Sequence, residues 1–264
     1  MKKKFITVLV ILMAVGSVFA SGKKDDPNTL KVGVNPVPHG ELLSLVKDDL
    51  AKEGITLKIV EYTDYIQPNE ALIAGDLNAN YFQHIPYLES KDEWKAALAF
   101  LYGVHVEPLG LYSAKVKNAA DLPDKATIII STDPANAGRG LILLENNGLI
   151  TLKPDAGLRA TPEDIVENPK NFQFRALDPA QIPRSLQDVD AAIINGNYAL
   201  EAGLNPAKDS ILLEGGESPY ANGIVVKKGN EADPRIAALK KVLVSQKIKD
   251  YINKKWDGSV VAAF

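Results

Sequence analysis

Apolar and polar positions divide this chain into short strands and helices that follow one another with few interruptions. Thr29–Asn35 (TLKVGVN) alternates and then tightens at Gly33, as a strand does. Glu41–Glu53 carries Leu42, Leu43, Val46 and Leu50 at helical spacing, with Lys47, Asp48 and Asp49 on the other face and Gly54 placed as a stop. Ile55–Tyr62 (ITLKIVEY) is a second strand, and strand, helix, strand over this length predicts a parallel pair. Pro68–Ala74 predicts a short helix ending at Gly75. The stretch Gly75–Leu88 (GDLNANYFQHIPYL) then runs from a small-residue turn into a strand. A helix through about Ala97 and the strand Leu98–Val104 are predicted after it.

The second half keeps the same rhythm. Strands are predicted at Pro108–Ala114, Ala126–Ser131, Asn171–Leu177, Ala191–Ile194, Ser210–Glu214 and Gly223–Lys227. Lys115–Lys125 is a polar, helix-capable connection. Asp133-Pro134 pairs an N-cap with proline at the first helical position, which predicts a helix to near Gly148. Thr161 is placed to cap a further helix opened by Pro162-Glu163-Asp164. Pro179–Gln187 reads as helical with a break near Pro183, and Pro234–Trp256 as one or two amphipathic helices. Alternating strands and helices make the class α/β. GDLNANYFQH at 75–84 is echoed by QDVDAAIINGNYA at 187–199, which suggests two similar lobes. Two such lobes bind a ligand between them, at strand carboxyl ends.

Composition narrows the classes. The chain has 264 residues, 46% hydrophobic and 24% charged, with a formal net charge of −3. That is globular composition, and its mildly acidic balance argues against nucleic acid as a partner. The absence of cysteine excludes disulfides, thiolate catalysis and Cys-ligated zinc. Lys2–Lys4, the apolar run Phe5–Val15 and Val18-Phe19-Ala20 form an export signal over residues 1–20, and residues 21–28 form a polar tether.

Candidate chemistry clusters in a few places. Tyr65, Phe82, His84 and Tyr87 offer apolar walls with a few polar groups. Asn136 and Arg139 fall in the first turns of the predicted helix after Asp133, where a guanidinium and unpaired N–H groups suit a carboxylate. A surface Arg139 paired with a neighbouring Asp is the alternative. Asn195, Asn197 and Asn222 lie near strand ends. Together these residues describe an amino-acid site: carboxylate on arginine, ammonium on carbonyl oxygens or ring faces, side chain on aromatics. His39, His84 and His105 raise a divalent-metal alternative, but no two of them have helical ligand spacing. No P-loop, GxGxxG, GxSxG or HExxH motif occurs, so no catalytic residue and no cofactor is expected.

FQHIPYL, DPANAGRGLILL, IPRSLQDVDAAIINGNYA and SPYAN, with TDYIQPNEAL, PLGLYS and ENPKNF, resemble the methionine-binding lipoproteins of bacterial ABC importers, the NlpA lipoprotein family. The resemblance runs from about Thr29 to the C-terminus. It implies a two-lobed, type II-like periplasmic-binding-protein fold with two crossovers. Residues 29–113 and 221–264 would form one lobe and 114–220 the other. It also implies a monomer that binds L-methionine or a related amino acid in the cleft and delivers it to a membrane permease. Tyr65, Phe82, His84 and Tyr87 would clamp side chain and ammonium. Arg139, with Asn136 near it, would hold the carboxylate, and Asn195 and Asn222 the head group. His39 would lie in a loop facing the cleft. Such proteins carry a lipidated cysteine after the leader, where this chain has Ser21. The expected location is therefore periplasmic, either free or tethered to the membrane.

Overall fold

A computed structural model of the protein describes residues 26–215 and 219–264. The expected leader at 1–20 and the start of the tether lie outside the described residues. No helix among the described residues is long and apolar enough to cross a membrane.

The chain begins with β1 (Thr29–Val34), a turn at Pro36–Gly40, α1 (Glu41–Lys52) and β2 (Thr56–Glu61). β1 and β2 pair in parallel, as the spacing predicts. α1 buries Leu42, Leu43, Val46 and Leu50 completely, worth about 1.5–3 kcal/mol for each such side chain. α2 (Gln67–Ala74) leads to β3 (Ala79–Gln83), an interior strand with every residue buried. The single helix expected through Ala97 is two pieces, α3 (Ile85–Leu88) and α4 (Asp92–Ala97). Ser90 turns back onto the Tyr87 carbonyl, and Lys91 is extended before α4 starts afresh. β4 (Leu98–Val106) follows.

The second part starts with β5 (Gly110–Tyr112) and β6 (Thr127–Ser131), joined by a connection whose helical content is one short turn at Ala119–Asp121. Ser113, Asn118 and Asp121 side chains take local hydrogen bonds there in place of a helix ladder. α5 (Pro134–Asn146) starts where predicted, with the Asp133 carboxylate accepting from the Asn136 N–H. Thr161 does form a capping box with Asp164, yet the expected helix is a single turn. The β-branched Ile165 and Val166 enter β8 (Ile165–Glu167) instead, paired with β7 (Thr151–Leu152). β9 (Gln173–Leu177), a 3-10 run over Pro179–Asp188, β10 (Ala191–Ile194), α6 (Gly196–Glu201), α7 (Pro206–Asp209) and β11 (Leu212–Leu213) follow. β12 (Asn222–Lys227), α8 (Pro234–Leu243), α9 (Gln246–Trp256) and β13 (Val261–Ala262) close the chain.

Two main sheets result. The first has the order β13-β4-β12-β3-β1-β2 and the second β11-β5-β10-β6-β9. Each has its own core: α1, α8 and α9 on β1 in the first, α5 on β6 and β10 in the second. Separate cores define two lobes. β5 pairs with β10 and β11, so the chain passes to the second sheet between Val106 and Gly110. The sequence-based boundary at residue 113 falls after that strand, because its pairing partners lie about a hundred residues away. The chain returns between Leu213 and Asn222.

β12 runs between β3 and β4 with register shifts at Asn222/Gly223 and Ile224/Val225. A Cβ on Gly223 would stand 2.1 Å from the Tyr102 carbonyl oxygen and 2.4 Å from the Phe100 ring. Gly223→Ala is therefore expected to destabilise the protein by about 1–3 kcal/mol. An unchanged midpoint in urea denaturation would contradict this.

Candidate ligand-binding site

A small cavity lies between the lobes, lined by Tyr65, Phe82, Gln83, His84, Tyr87, Glu107, Asn136, Arg139, Asn195, Gly196, Asn197 and Asn222. Tyr65, Phe82, His84, Tyr87, Asn136, Arg139, Asn195 and Asn222, the eight residues expected at the ligand, all line it, as does Asn197, whereas His39 and His105 are not among the lining residues. Strand ends aim them there: Tyr65 follows β2, Phe82 and Gln83 end β3, and His84 caps α3. Asn222 opens β12. From the other lobe, Asn136 and Arg139 sit on α5, and Asn195 to Asn197 join β10 to α6. The lobes meet around the cavity. Tyr198 Oη donates to the Thr63 carbonyl at 3.1 Å, Tyr65 Oη donates to Asn197 Oδ1, and Arg159 donates to the Glu89 carbonyl.

One wall is aromatic. Tyr65, Phe82 and Tyr87 stand with ring centroids 5.6 to 6.0 Å apart, in tilted and edge-on arrangements. Tyr87 Oη donates to the Tyr65 carbonyl at 2.9 Å, which fixes the corner. Trp94 packs behind Tyr87 at 5.3 Å and donates from Nε1 to Glu70. His84 Nδ1 accepts from the Tyr87 N–H, so Nε2 carries the proton and points at Asn136 Oδ1, 3.3 Å away. Burial and the charge on Arg139 hold the His84 pKa down to about 3, leaving a neutral ring.

The opposite wall is polar. Asn136 is gripped by the Asp133 carboxylate, and its Oδ1 also accepts from Asn195 Nδ2 at 2.9 Å. Arg139 is 3% exposed. It is paired with an acid, as the alternative sequence reading allowed, but the pair is buried at the cavity and the acid is Glu214, distant in sequence. Nε donates to Glu214 Oε1 at 3.0 Å, Nη2 donates to Glu214 Oε2, and Nη2 also reaches the Glu107 carbonyl at 2.8 Å. The Tyr220 ring lies under the guanidinium at 4.3 Å. Nη1 has no protein hydrogen bond among the described residues, and that edge is free for a carboxylate. Gly138, one residue before it, lets α5 press against the chain at Leu158–Ala160, where a Cβ would come within 2.4 Å of a carbonyl oxygen.

The histidines divide differently from the grouping considered from sequence. His84 stands with Asn136, while His39 and His105 converge on Glu107. Their Nε2 atoms lie 3.1 and 2.7 Å from the same oxygen, Glu107 Oε1; the His105 contact is a hydrogen bond, while His39 Nε2 is close without the geometry of one. Tyr81 Oη donates to His105 Nδ1. Burial holds His39 down to about 4, against the opposing pull of Glu107, and His105 down to about 3. The same burial pushes the Glu107 carboxyl up. Sequence reasoning missed Glu107 and Gln83. His105-Val-Glu107 offered a signal, since residues two apart in extended chain share a face. Gln83 is bound to Asn69 and Asn80 and braces β3 from within.

Comparison with known proteins places this geometry. A model of the NlpA lipoprotein family matches residues 30–264. The methionine-binding lipoprotein MetQ of Bacillus subtilis is 42% identical, over 99% of this chain and 98% of that protein. The membrane lipoprotein TpN32 of Treponema pallidum is 40% identical, over 96% of this chain and 94% of that protein. A nutrient-binding protein from Burkholderia cenocepacia, solved bound to methionine, superposes with a TM-score of 0.85 at 44% identity. The match covers 89% of this chain and 100% of that one. The α/β class and the two-lobed binding-protein fold expected from sequence are thus found, and the chain belongs to the NlpA lipoprotein family.

Proposed function

We propose that this chain is the exported substrate-binding component of an amino-acid ABC importer and that it takes L-methionine in the cavity between its lobes. The observation that carries this is a small cavity between the lobes lined by a guanidinium on one wall and three aromatic rings on the other. A free amino acid with a long apolar side chain matches both ends. Arg139 Nη1 and the α5 amides receive the carboxylate. Asn195, Asn222 and Asn136 orient the head group. Tyr65, Phe82 and Tyr87 enclose a thioether, which packs well on ring edges. The similar protein of Burkholderia cenocepacia, bound to methionine, supports the same ligand here.

Function follows from binding and release, not from turnover, and no cofactor enters. A closed monomer carrying methionine docks on a membrane permease, and opening about the two crossings releases the ligand. Another small amino acid is the second reading, since an apolar ring wall also accepts a side chain without sulfur: a leucine side chain fills a comparable volume. The acidic chain has no part in nucleic-acid binding.

Three outcomes test this. Denaturing freshly purified protein should release stoichiometric L-methionine, detected by mass spectrometry; leucine instead would select the second reading. Arg139→Ala should weaken L-methionine by at least about 30-fold in calorimetry of stripped, refolded protein, because a charge-assisted contact in a desolvated site is lost. Unchanged affinity would remove Arg139 from the carboxylate site. Phe82→Ala should cost about 10-fold or more in methionine affinity through lost apolar contact. Equal binding by this variant and the parent would place the side chain elsewhere.

A further inference from the structure

Glu107 is a carboxylate at 5% exposure on the wall of the cavity. Buried carboxylates need an opposite charge or full hydrogen bonding. Its neighbours are arranged to hold it in place but supply no positive charge. His105 Nε2 donates to Oε1 at 2.7 Å and is itself fixed by Tyr81. His39 Nε2 approaches the same oxygen at 3.1 Å from the Pro36–Gly40 turn. The Asn197 backbone N–H donates to the carboxylate from the other lobe. Both imidazoles are neutral, as burial dictates. The nearest fixed cation, Arg139, gives its Nε and Nη2 to Glu214 and touches only the main-chain carbonyl of Glu107. Among the described residues, no lysine or arginine is paired with the Glu107 carboxylate, and its two partners, His39 and His105, carry charge only when protonated.

Burial works against the charged form of this carboxyl, and no lysine or arginine side chain is hydrogen-bonded to it, so a cationic ligand group in the cavity would be what stabilises it as a carboxylate. We propose that Glu107 is the counter-ion of the ligand's α-ammonium, with His39 and His105 as positioning residues that fix the carboxylate from behind. This rests on the amino-acid reading above and adds the substrate class: a primary ammonium is required beside a free carboxylate. The two charges of a zwitterion then have separate partners, Arg139 for one and Glu107 for the other. Methionine's des-amino analogue, 4-(methylthio)butanoate, keeps the carboxylate and the thioether and lacks only the group that Glu107 would receive. A neutral amide at position 107 keeps the shape and can still accept from His105.

The test is a two-by-two calorimetric comparison on the stripped full chain, parent and Glu107→Gln, with L-methionine and 4-(methylthio)butanoate. The parent should prefer methionine by about 100-fold or more, the scale on which truncating one partner of a buried charge pair is felt. Glu107→Gln should lose most of that preference by weakening methionine, while the analogue's affinity changes by less than about 3-fold. Glu107→Asp, which keeps the charge but draws it back, should retain part of the preference, and thermal melts of both variants check folding. A preference that survives in both variants, or an equal loss for both ligands, overturns the assignment. So does stoichiometric zinc in the purified parent that is lost in Glu107→Gln, since the trio would then serve a metal. A parent that binds neither ligand defeats the amino-acid reading itself, and this inference with it. A parent that binds methionine with unaltered preference in the variants defeats this inference alone.

Discussion

A full positive charge at 3% exposure has to be answered by the groups around it. Arg139 is answered from both connections between the lobes at once. The first connection gives it the Glu107 carbonyl, and the second gives it the Glu214 carboxylate and the Tyr220 ring. The two connections also bond to each other, Glu214 N–H to the Leu109 carbonyl at 2.9 Å and Leu109 N–H back to the Glu214 carboxylate. One side chain of the second lobe therefore ties together the two segments that join the lobes. The same residue lines the cavity.

Around that charge the site separates its tasks by material. Rings from β3, α3 and the loop after β2 make the apolar end, and their packing is fixed by Trp94 and by the Tyr87–Tyr65 hydrogen bond. Amides from α5 and β10 make the orienting middle. Neutral imidazoles brace polar groups without adding charge: His84 faces Asn136, and His105 faces Glu107. Burial is what keeps these rings neutral.

Much of this was legible in the sequence because the signals are local. The helical spacing of Leu42, Leu43, Val46 and Leu50 and the Asp133-Pro134 start depend on neighbours within a turn or two. The eight residues expected at the ligand, which all line the cavity, were picked out through runs such as FQHIPYL and DPANAGRG, which carry a family resemblance. What was not legible is set by long-range pairing. β5 reads as a strand, but its sheet is decided by Ile194 and Leu212. β13 has two residues, too few to show a period, and forms because β4 has a free edge. Thr161 and Asp164 have sound capping chemistry, overruled by the strand preference of the residues that follow. His105 and Glu107 share a face by their spacing, but His39 joins them only because the Pro36–Gly40 turn brings it there, and no spacing in the chain announces that.

Arg235 donates to the carbonyls of Pro27 and Thr29 while its own helix start is capped by Asp233. The beginning of the described chain is thus tied to the lobe that also contains its end. The other lobe is an insert, held by two roughly side-by-side connections and by nothing else covalent. A body hung from one thread can swivel in any direction. A body hung from two adjacent threads keeps one easy rotation and resists the rest. Any anchor placed ahead of Pro27 would hold the first lobe still, and the inserted lobe would swing like a door on that single axis.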